Sequence, residues 1–408
     1  MKILIVSPTP THPSSAGNRA RVGAIARALK DARHTVHFAL VPMESGDLAA
    51  MNRFFEGRLT VLPYRAPSAH RGWRTRLRRR VLAVLARASA YVWGVDDWYD
   101  NAISAALAEL HAKERFDVVI VVYVFLSKAL DALPDTVLKV LDTNDRFADR
   151  HLHYLRKGQT PRWFSTTQEE ERRGLARADV VVAIQETERR IFSDILQDAA
   201  RVVTIGHLVQ ISDPLLLARR PCAVFVGSDN PINQEAVEYF VAEVLPRVRT
   251  MCPNFELWLV GDVCRRIEDA VGIVKKGRVD DLATVYMEAS LAVNPVRMGT
   301  GLNVKTVECL ALGLPLVVTE AGSRGLEGLR GKAFLNVPDD DPSAMADAIV
   351  LLLREPEVAA SYARKAHWAA HAWNGAQHAG LLALIEQGTA RTNLPGNENR
   401  EFEPQTVR

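Results

Sequence analysis

The stretch NPVRMGTGLNVKTVECLALG, residues 294–313, decides the reading of this chain. It completes an apolar run, LAVNPV, turns through Gly299 and Gly301, and resumes as a helical segment, NVKTVECLALG. Glycine tolerates the backbone angles of a tight turn, and the first N–H groups of a helix have no partner inside it. Such a loop aims backbone donors at one point and suits an anion, phosphate above all. Lys305 stands in the opening helical turn and Glu308 three residues later on the same face. A cation for a diphosphate and a carboxylate for hydroxyl groups are thus presented together. A plain helix start with a solvated Lys–Glu pair has the same spacing, and no G-x-x-x-x-G-K-[ST] phosphate loop occurs anywhere in the chain.

Outward from this loop, strand-like runs alternate with helix-like ones, the pattern of an α/β architecture with parallel sheets. KILIVS at the start reads as a buried strand, GNRARVGAIARALKDA as an amphipathic helix and TVHFALV as the next strand. Further strands are expected at LTVLP, FDVVIVVYVF, TVLKVLDT, DVVVAIQ and RVVTIG. Around 212–221 the pattern breaks, and the same grammar restarts with CAVFVGS. The expected organisation is residues 1–212 as one Rossmann-like domain and 213–365 as a second. A terminal helix is expected at 366–387, and 388–408 would form a disordered tail without apolar periodicity. Ligands of open parallel sheets bind beyond the carboxyl ends of the strands, so the chemistry belongs in the cleft between the two domains.

Composition narrows the function. The 408 residues carry 51 Lys+Arg against 48 Asp+Glu, a formal charge of +3, too balanced for binding nucleic acid by bulk electrostatics. Cys222, Cys252, Cys264 and Cys309 are widely spaced and read as reduced core thiols. The histidines lack metal-ligand spacing: His12 sits in the first loop after a strand, and His34 reads as structural. No metal site is indicated. The first apolar run is too short for a signal peptide and the longest, residues 118–126, too short for a membrane span, so a cytoplasmic protein is expected. Residues 65–87, RAPSAHRGWRTRLRRRVLAVLAR, combine many arginines with apolar residues and no acid. They could lie on an anionic membrane at the inner face, or form an ordinary solvated helix.

The second half resembles the carboxyl domain of family 4 retaining glycosyltransferases, of the GT-B fold. The landmarks are FVGS at 225–228, a helix start at Asn233, LVGD at 259–262, GRV at 277–279, the 294–313 stretch and the ending DDDPSAMADAIVLLLREPEV. GNR at 17–19 and RADVVVAIQETE fit the first half. The resemblance implies two Rossmann-like domains facing across a cleft, a terminal helix at 366–387, with Trp373, that packs back toward the first domain, a nucleotide diphosphate sugar as donor and a hydroxyl acceptor. A lipid-linked acceptor would suit the basic segment, and no cofactor or metal ion is implied. By position, Glu308 would hold the donor ribose, and Gly299, Thr300, Gly301, Asn303 and Val304 would wrap the diphosphate and sugar. Gly227, Ser228 and Asn233 would lie beside the phosphates, with Gly17 and Gly261 also in the donor site. Gly277, Arg278 and Val279 would frame the base. Many members carry an earlier glutamate where this chain has Thr300, and the basic residues usual after GSDNPIN are missing. Lys305 and Arg297 are the candidate substitutes for the charge that stabilises a departing diphosphate. A nucleotide-sugar epimerase or a non-catalytic partner subunit of the same fold remain alternatives.

In the first half, LDTNDRFADRH places Asp142 and Asp145 just beyond a strand, where carboxylates could orient hydroxyl groups or exchange protons; capping the following helix is the alternative. Together with Lys305 and Glu308 they are the candidate catalytic residues. Glu169, Glu170 and Glu171 read as complements to a helix dipole, with a direct role in the chemistry as the alternative.

Overall fold

The computed structural model describes residues 1–14, 16–66, 81, 88–156, 158, 160–161, 163–198, 201–211, 213, 220–279, 282–299 and 301–392. Thr300, almost all of the arginine-rich segment 65–87, and the tail from 393 lie outside the described residues.

Two parallel sheets carry the fold. The first contains β1 (Lys2–Ser7), β2 (Thr35–Leu40), β3 (Leu59–Val61), β4 (Val118–Val122), β5 (Leu138–Asp142), β6 (Val180–Ala183) and β7 (Val202–Thr204), in the order β3-β2-β1-β4-β5-β6-β7. The second contains β8 (Cys222–Val226), β9 (Glu256–Val260), β10 (Ile273–Gly277), β11 (Leu291–Asn294), β12 (Leu316–Thr319) and β13 (Leu335–Val337), in the order β10-β9-β8-β11-β12-β13. Strands such as Val118–Val122, buried along their whole length, are unbroken apolar runs because helices cover both faces of a parallel sheet. In each sheet the direction of winding reverses once, between β1 and β4 and between β8 and β11. Loops leaving the strands at such a reversal diverge and open a crevice. The glycine loop after β11 lies at one of them.

The helices that bear on the site are α1 (Gly17–Asp31), α2 (Arg150–Arg156), α3 (Gln168–Leu175), α4 (Glu186–Leu196), α5 (Pro231–Tyr239), α6 (Val304–Ala311) and α7 (Pro356–Thr392). Helix α7 starts ten residues before the expected 366 and runs past the expected onset of the tail at 388. Once nucleated, a helix extends at little cost, and Ala390 and Arg391 favour it although Gly388 does not. Among the described residues, no helix is long and apolar enough to cross a membrane. The four cysteines form no disulfide.

Helix α7 joins the two cores. Ala366, Ala369 and Ala370 pack among the buried residues of the second sheet, whereas Leu381, Leu384 and Ile385 belong to the core of the first. Between them the helix grips the linker after β7. The Trp373 indole donates to the carbonyl of His207 at 2.8 Å, Asn374 Oδ1 accepts from the Val209 amide at 3.0 Å and Gln377 Oε1 from the Gly206 amide at 2.5 Å. Gly206 leaves room for this: a Cβ there would stand 2.3 Å from Trp373 Cζ2. Gly206→Ala is expected to cost about 1–3 kcal/mol by overpacking. Trp373→Ala in the same chain should recover part of that loss, because the two substitutions act on one contact; thermal unfolding of the four proteins checks this.

Candidate active site

A cleft of about 940 Å³ separates the domains. Its floor on the second-domain side begins with two glycines in backbone contact. Gly261 adopts a φ of +95°, and a Cβ on it would meet the Gly227 carbonyl oxygen at 2.4 Å. Only glycine fits there, which explains the glycine of LVGD; in FVGS a Cβ on Gly227 would lie 2.9 Å from Phe225 Cε1. Helix α5 starts beside them. Asn230 caps it by accepting from the Asn233 amide at 2.8 Å, with Pro231 in its first turn.

Asn233 then acts as a bracket. Its Nδ2 donates to the Ser228 carbonyl at 3.0 Å, and its Oδ1 accepts from Lys305 Nζ at 2.6 Å. The ammonium also lies 4.2 Å from the centre of the Phe225 ring, on its face. Among the described residues no carboxylate oxygen lies within salt-bridge distance of Lys305, and burial pulls its pKa down to about 7, with Cys309 and Glu308 opposing. A lysine held this way gains its natural counter-ion when an anion enters.

Helix α6 carries both Lys305 and Glu308. Its first turn is pinned from below: Asn294 Nδ2 donates to Thr306 Oγ1 at 2.9 Å, and Thr306 Oγ1 donates to the Gly322 carbonyl at 2.9 Å, all buried. Asn303 provides no side-chain cap, so the helix start keeps donor capacity. Glu308 Oε1 stands 3.7 Å from Nε2 of His207, in the domain linker. Gly299, with a φ of +131°, makes the turn before the helix.

The opposite wall comes from the loops after β1, β4 and β5. Gly17 starts α1 against Val304, where a Cβ would lie 3.4 Å from Val304 Cβ. Asn18 donates to the Tyr123 hydroxyl at 3.4 Å. Asp145 sits across from the glycine loop: a Cβ on Gly301 would be 3.4 Å from its Oδ1. Its carboxylate is paired with Arg150 of α2, and Phe147 and Trp163 complete this wall.

Of the residues expected from the sequence, the cleft brings together Gly17, Gly227, Ser228, Asn233, Gly261, Arg278, Val279, Gly299, Gly301, Asn303, Val304, Lys305, Glu308 and Asp145. Thr300 lies outside the described residues. Two expectations are corrected. Asp142 does not line the cleft: it is 1% exposed, and Oδ1 lies 2.8 Å from Nη2 of the buried Arg21. Asp142 is still the last residue of its strand, inside the sheet, and the cleft receives Asn144 and Asp145 instead. Arg297 is likewise absent from the lining. It pairs with Glu235 and Asp340 and covers the Tyr239 ring at 4.0 Å, so its charge is already spent on the second domain's surface. Arg278 keeps its place, but its guanidinium is bidentate on Asp262, at 2.8 and 2.5 Å.

Sequence reading sets Glu171 down first as a dipole complement and does not single out Glu188. Thr167 caps α3, and Glu171 turns inward to accept from the Phe147 amide at 2.6 Å, behind the cleft wall. Burial pushes its pKa up to about 7. Glu188 of α4 is buried as well, and burial followed by the field of Asp145 raises its pKa well above the usual carboxyl range. Their neighbours are distant in the chain, and both glutamates sit where helix-dipole complements are commonplace, so no local signal marks them. Among the described residues no group of His, Cys, Asp and Glu side chains is arranged to hold a metal ion.

Two parallel sheets whose reversal crevices face each other across a cleft define the GT-B fold. Known proteins agree. The crystal structure of Anabaena Alr3699/HepE in complex with UDP and glucose superposes with a TM-score of 0.63 at 14% identity, over 96% of this chain and 98% of that one. Residues 220–355 match the family described as glycosyl transferases group 1. A D-inositol 3-phosphate glycosyltransferase of Corynebacterium urealyticum is 27% identical over 33% of this chain and 33% of that protein. A phosphatidyl-myo-inositol mannosyltransferase of Mycolicibacterium smegmatis is 24% identical over 54% of this chain and 61% of that protein. The matched parts thus span one third and about three fifths of these relatives.

Proposed function

We propose that the chain transfers a hexose-like sugar from a nucleotide diphosphate donor to a hydroxyl acceptor, with retention at the anomeric carbon, in the manner of family 4 enzymes. The observation that carries this reading is the Lys305 ammonium, bracketed by Asn233 at a glycine turn and accompanied by Glu308 on the same helix face. In this reading the nucleoside diphosphate lies on the second domain, and the similarity to the Anabaena protein in complex with UDP and glucose supports a donor of that class. Glu308 holds ribose hydroxyls, and the backbone of Arg278 and Val279 frames the base. The bond between the anomeric carbon and the diphosphate oxygen breaks with both electrons passing to the diphosphate. Lys305 and the start of α6 neutralise that developing charge, and no metal ion or cofactor is required. The acceptor oxygen bonds the anomeric carbon and its proton passes to the leaving diphosphate. Asp145, already anchored by Arg150, orients hydroxyl groups across the glycine loop, and most of the rate comes from holding the two substrates in register. Reaction in the cytoplasm, toward a polysaccharide or a glycolipid, completes the reading, with segment 65–87 bringing the protein to an anionic membrane face and a lipid-linked acceptor.

Thermal unfolding with UDP, GDP, ADP and dTDP tests it. One nucleotide should stabilise the protein by about 2.7 kcal/mol at a hundredfold excess over Kd. A product carrying the sugar on an acceptor supports transfer; an epimerised donor formed without acceptor, or no stabilisation by any of the four, overturns it.

A further inference from the structure

Glu308 lines two cavities. One is the cleft between the domains; the other, of about 410 Å³, lies behind it among α1, α6 and the linker after β7, with Gly23, Arg27, His207, Leu208 and Ala311 in its walls. A carboxylate with open space on both sides is not held by packing, and its side chain is 32% exposed. Fixing a glutamate costs rotamer freedom, so a partner has to supply the orientation. Among the described residues a single ion-pairing group comes within salt-bridge distance of it, His207, with Nε2 3.7 Å from Oε1. Lys305, one turn earlier on the same helix, is turned to Asn233 instead.

His207 has little freedom of its own. The imidazole is 3% exposed, the residue's carbonyl accepts from the Trp373 indole at 2.8 Å, and Gln377 and Asn374 hold the amides of Gly206 and Val209 on either side. Its Nδ1 is buried without a hydrogen-bond partner among the described residues. In the neutral ring, a proton on Nδ1 would bury an N–H with no acceptor and set the Nε2 lone pair against a carboxylate; a proton on Nε2 avoids both. The ring thus offers Glu308 an N–H from a fixed base. A carboxylate has about four acceptor positions, so one given to His207 leaves Oε2 and the rest of Oε1 for hydroxyl groups of a ligand.

We infer that His207 is a positioning residue of the donor site: through Nε2–H it holds Glu308 in the orientation that receives the ribose hydroxyls. The inference rests on the reading of Glu308 as the ribose-binding carboxylate and adds the group that aims it. The 3.7 Å between the two atoms is longer than a hydrogen bond, and Glu308, the freer of the pair, shortens it when its other oxygen engages the ribose. A residue that only packed the linker would affect every nucleotide alike, whereas one that aims Glu308 acts on the ribose contact alone.

Equilibrium binding of the full chain to matched pairs, UDP with dUDP, GDP with dGDP and ADP with dADP, reads that distinction, because the members of a pair differ only in the 2′-hydroxyl. The chain should bind one ribonucleotide about tenfold more tightly than its 2′-deoxy partner, the contribution of one hydrogen bond to a charged group. His207→Phe keeps a buried ring without an N–H and should bring the two members within about twofold by weakening the ribonucleotide. His207→Gln, whose amide reaches the place of Nε2, should restore most of the preference. If the phenylalanine protein does not fold, His207→Asn, too short to reach Glu308, replaces it. In a Glu308→Ala background, which itself loses the preference, His207→Phe should change nothing more. A preference that survives His207→Phe, or equal weakening of both members of the pair, overturns the inference and leaves the ribose reading of Glu308 intact. No preference in the unsubstituted chain, or one that survives Glu308→Ala, overturns the ribose reading and the inference with it.

Discussion

Lys305→Met is expected to lower kcat/KM about 10²–10³-fold while making the empty protein more stable. Methionine keeps the apolar stem packed near Phe225, 4.2 Å from the ammonium it replaces, but removes a charge that the empty site does not compensate. The sign follows from the lysine's titration. Its pKa falls from 10.5 in the unfolded chain to about 7 in the folded one, so between those values the unfolded chain binds more protons and stability rises with pH. The penalty is fully present below about pH 7 and vanishes as pH climbs to 10.5. It is on the order of 3–5 kcal/mol at its largest, so the advantage of Lys305→Met should be greatest at or below pH 7 and gone above 10.5. The diphosphate reverses the preference, because it favours the ammonium. Binding of the nucleotide that the donor panel selects should therefore take up a proton above pH 7 and weaken as pH rises. Calorimetry in buffers of different ionisation enthalpy reads that proton directly. A variant less stable than the parent at neutral pH, or nucleotide affinity that ignores pH, would show that Lys305 is an ordinary structural lysine.

The parts of this site that sequence reveals are those whose cause is local. Gly261 and Gly299 carry backbone angles that side chains rarely adopt; the helix start at Pro231 follows from the Asn230 cap, and the one at Val304 from the glycine turn before it. Strands such as β4 and β8 announce themselves as apolar runs, because a covered parallel sheet buries both faces. Helix α7 is less legible: its alanines fit one core and its leucines another, so no single apolar stripe marks its face. Charged side chains are the least legible. Arg297 reads along the chain as an available leaving-group cation, yet Glu235 and Asp340 occupy it from 62 and 43 residues away. Arg324 reads as one residue of a turn, yet it lines the cleft beside Gly299. An ion pair depends on where elements meet, and pattern along the chain carries no trace of that.

Asp142 is the sharpest instance, and its substitution should cost stability rather than catalysis. Its carboxylate and the Arg21 guanidinium are 1% and 0% exposed, 121 residues apart in sequence, and 2.8 Å apart in space. Arg21 continues to the Gly206 carbonyl at 2.6 Å, on the linker that α7 grips through Gln377. Removing either charge leaves the other buried and uncompensated, which typically costs about 3–5 kcal/mol. Arg21→Met and Asp142→Asn should therefore each lower the unfolding midpoint sharply, whereas Arg21→Met with Asp142→Leu should lose less than the sum, since no lone charge remains. Activity separates this role from a catalytic one. Measured well below the midpoint, Asp142→Asn should keep kcat within about threefold of the parent, while Asp145→Asn, at the cleft wall, should lose about 10²-fold or more. A large fall in kcat for Asp142→Asn in a protein that is still folded would place that carboxylate back in the reaction. The geometry argues otherwise, because a group 1% exposed, held by a buried guanidinium and absent from the cleft lining has no path to substrate.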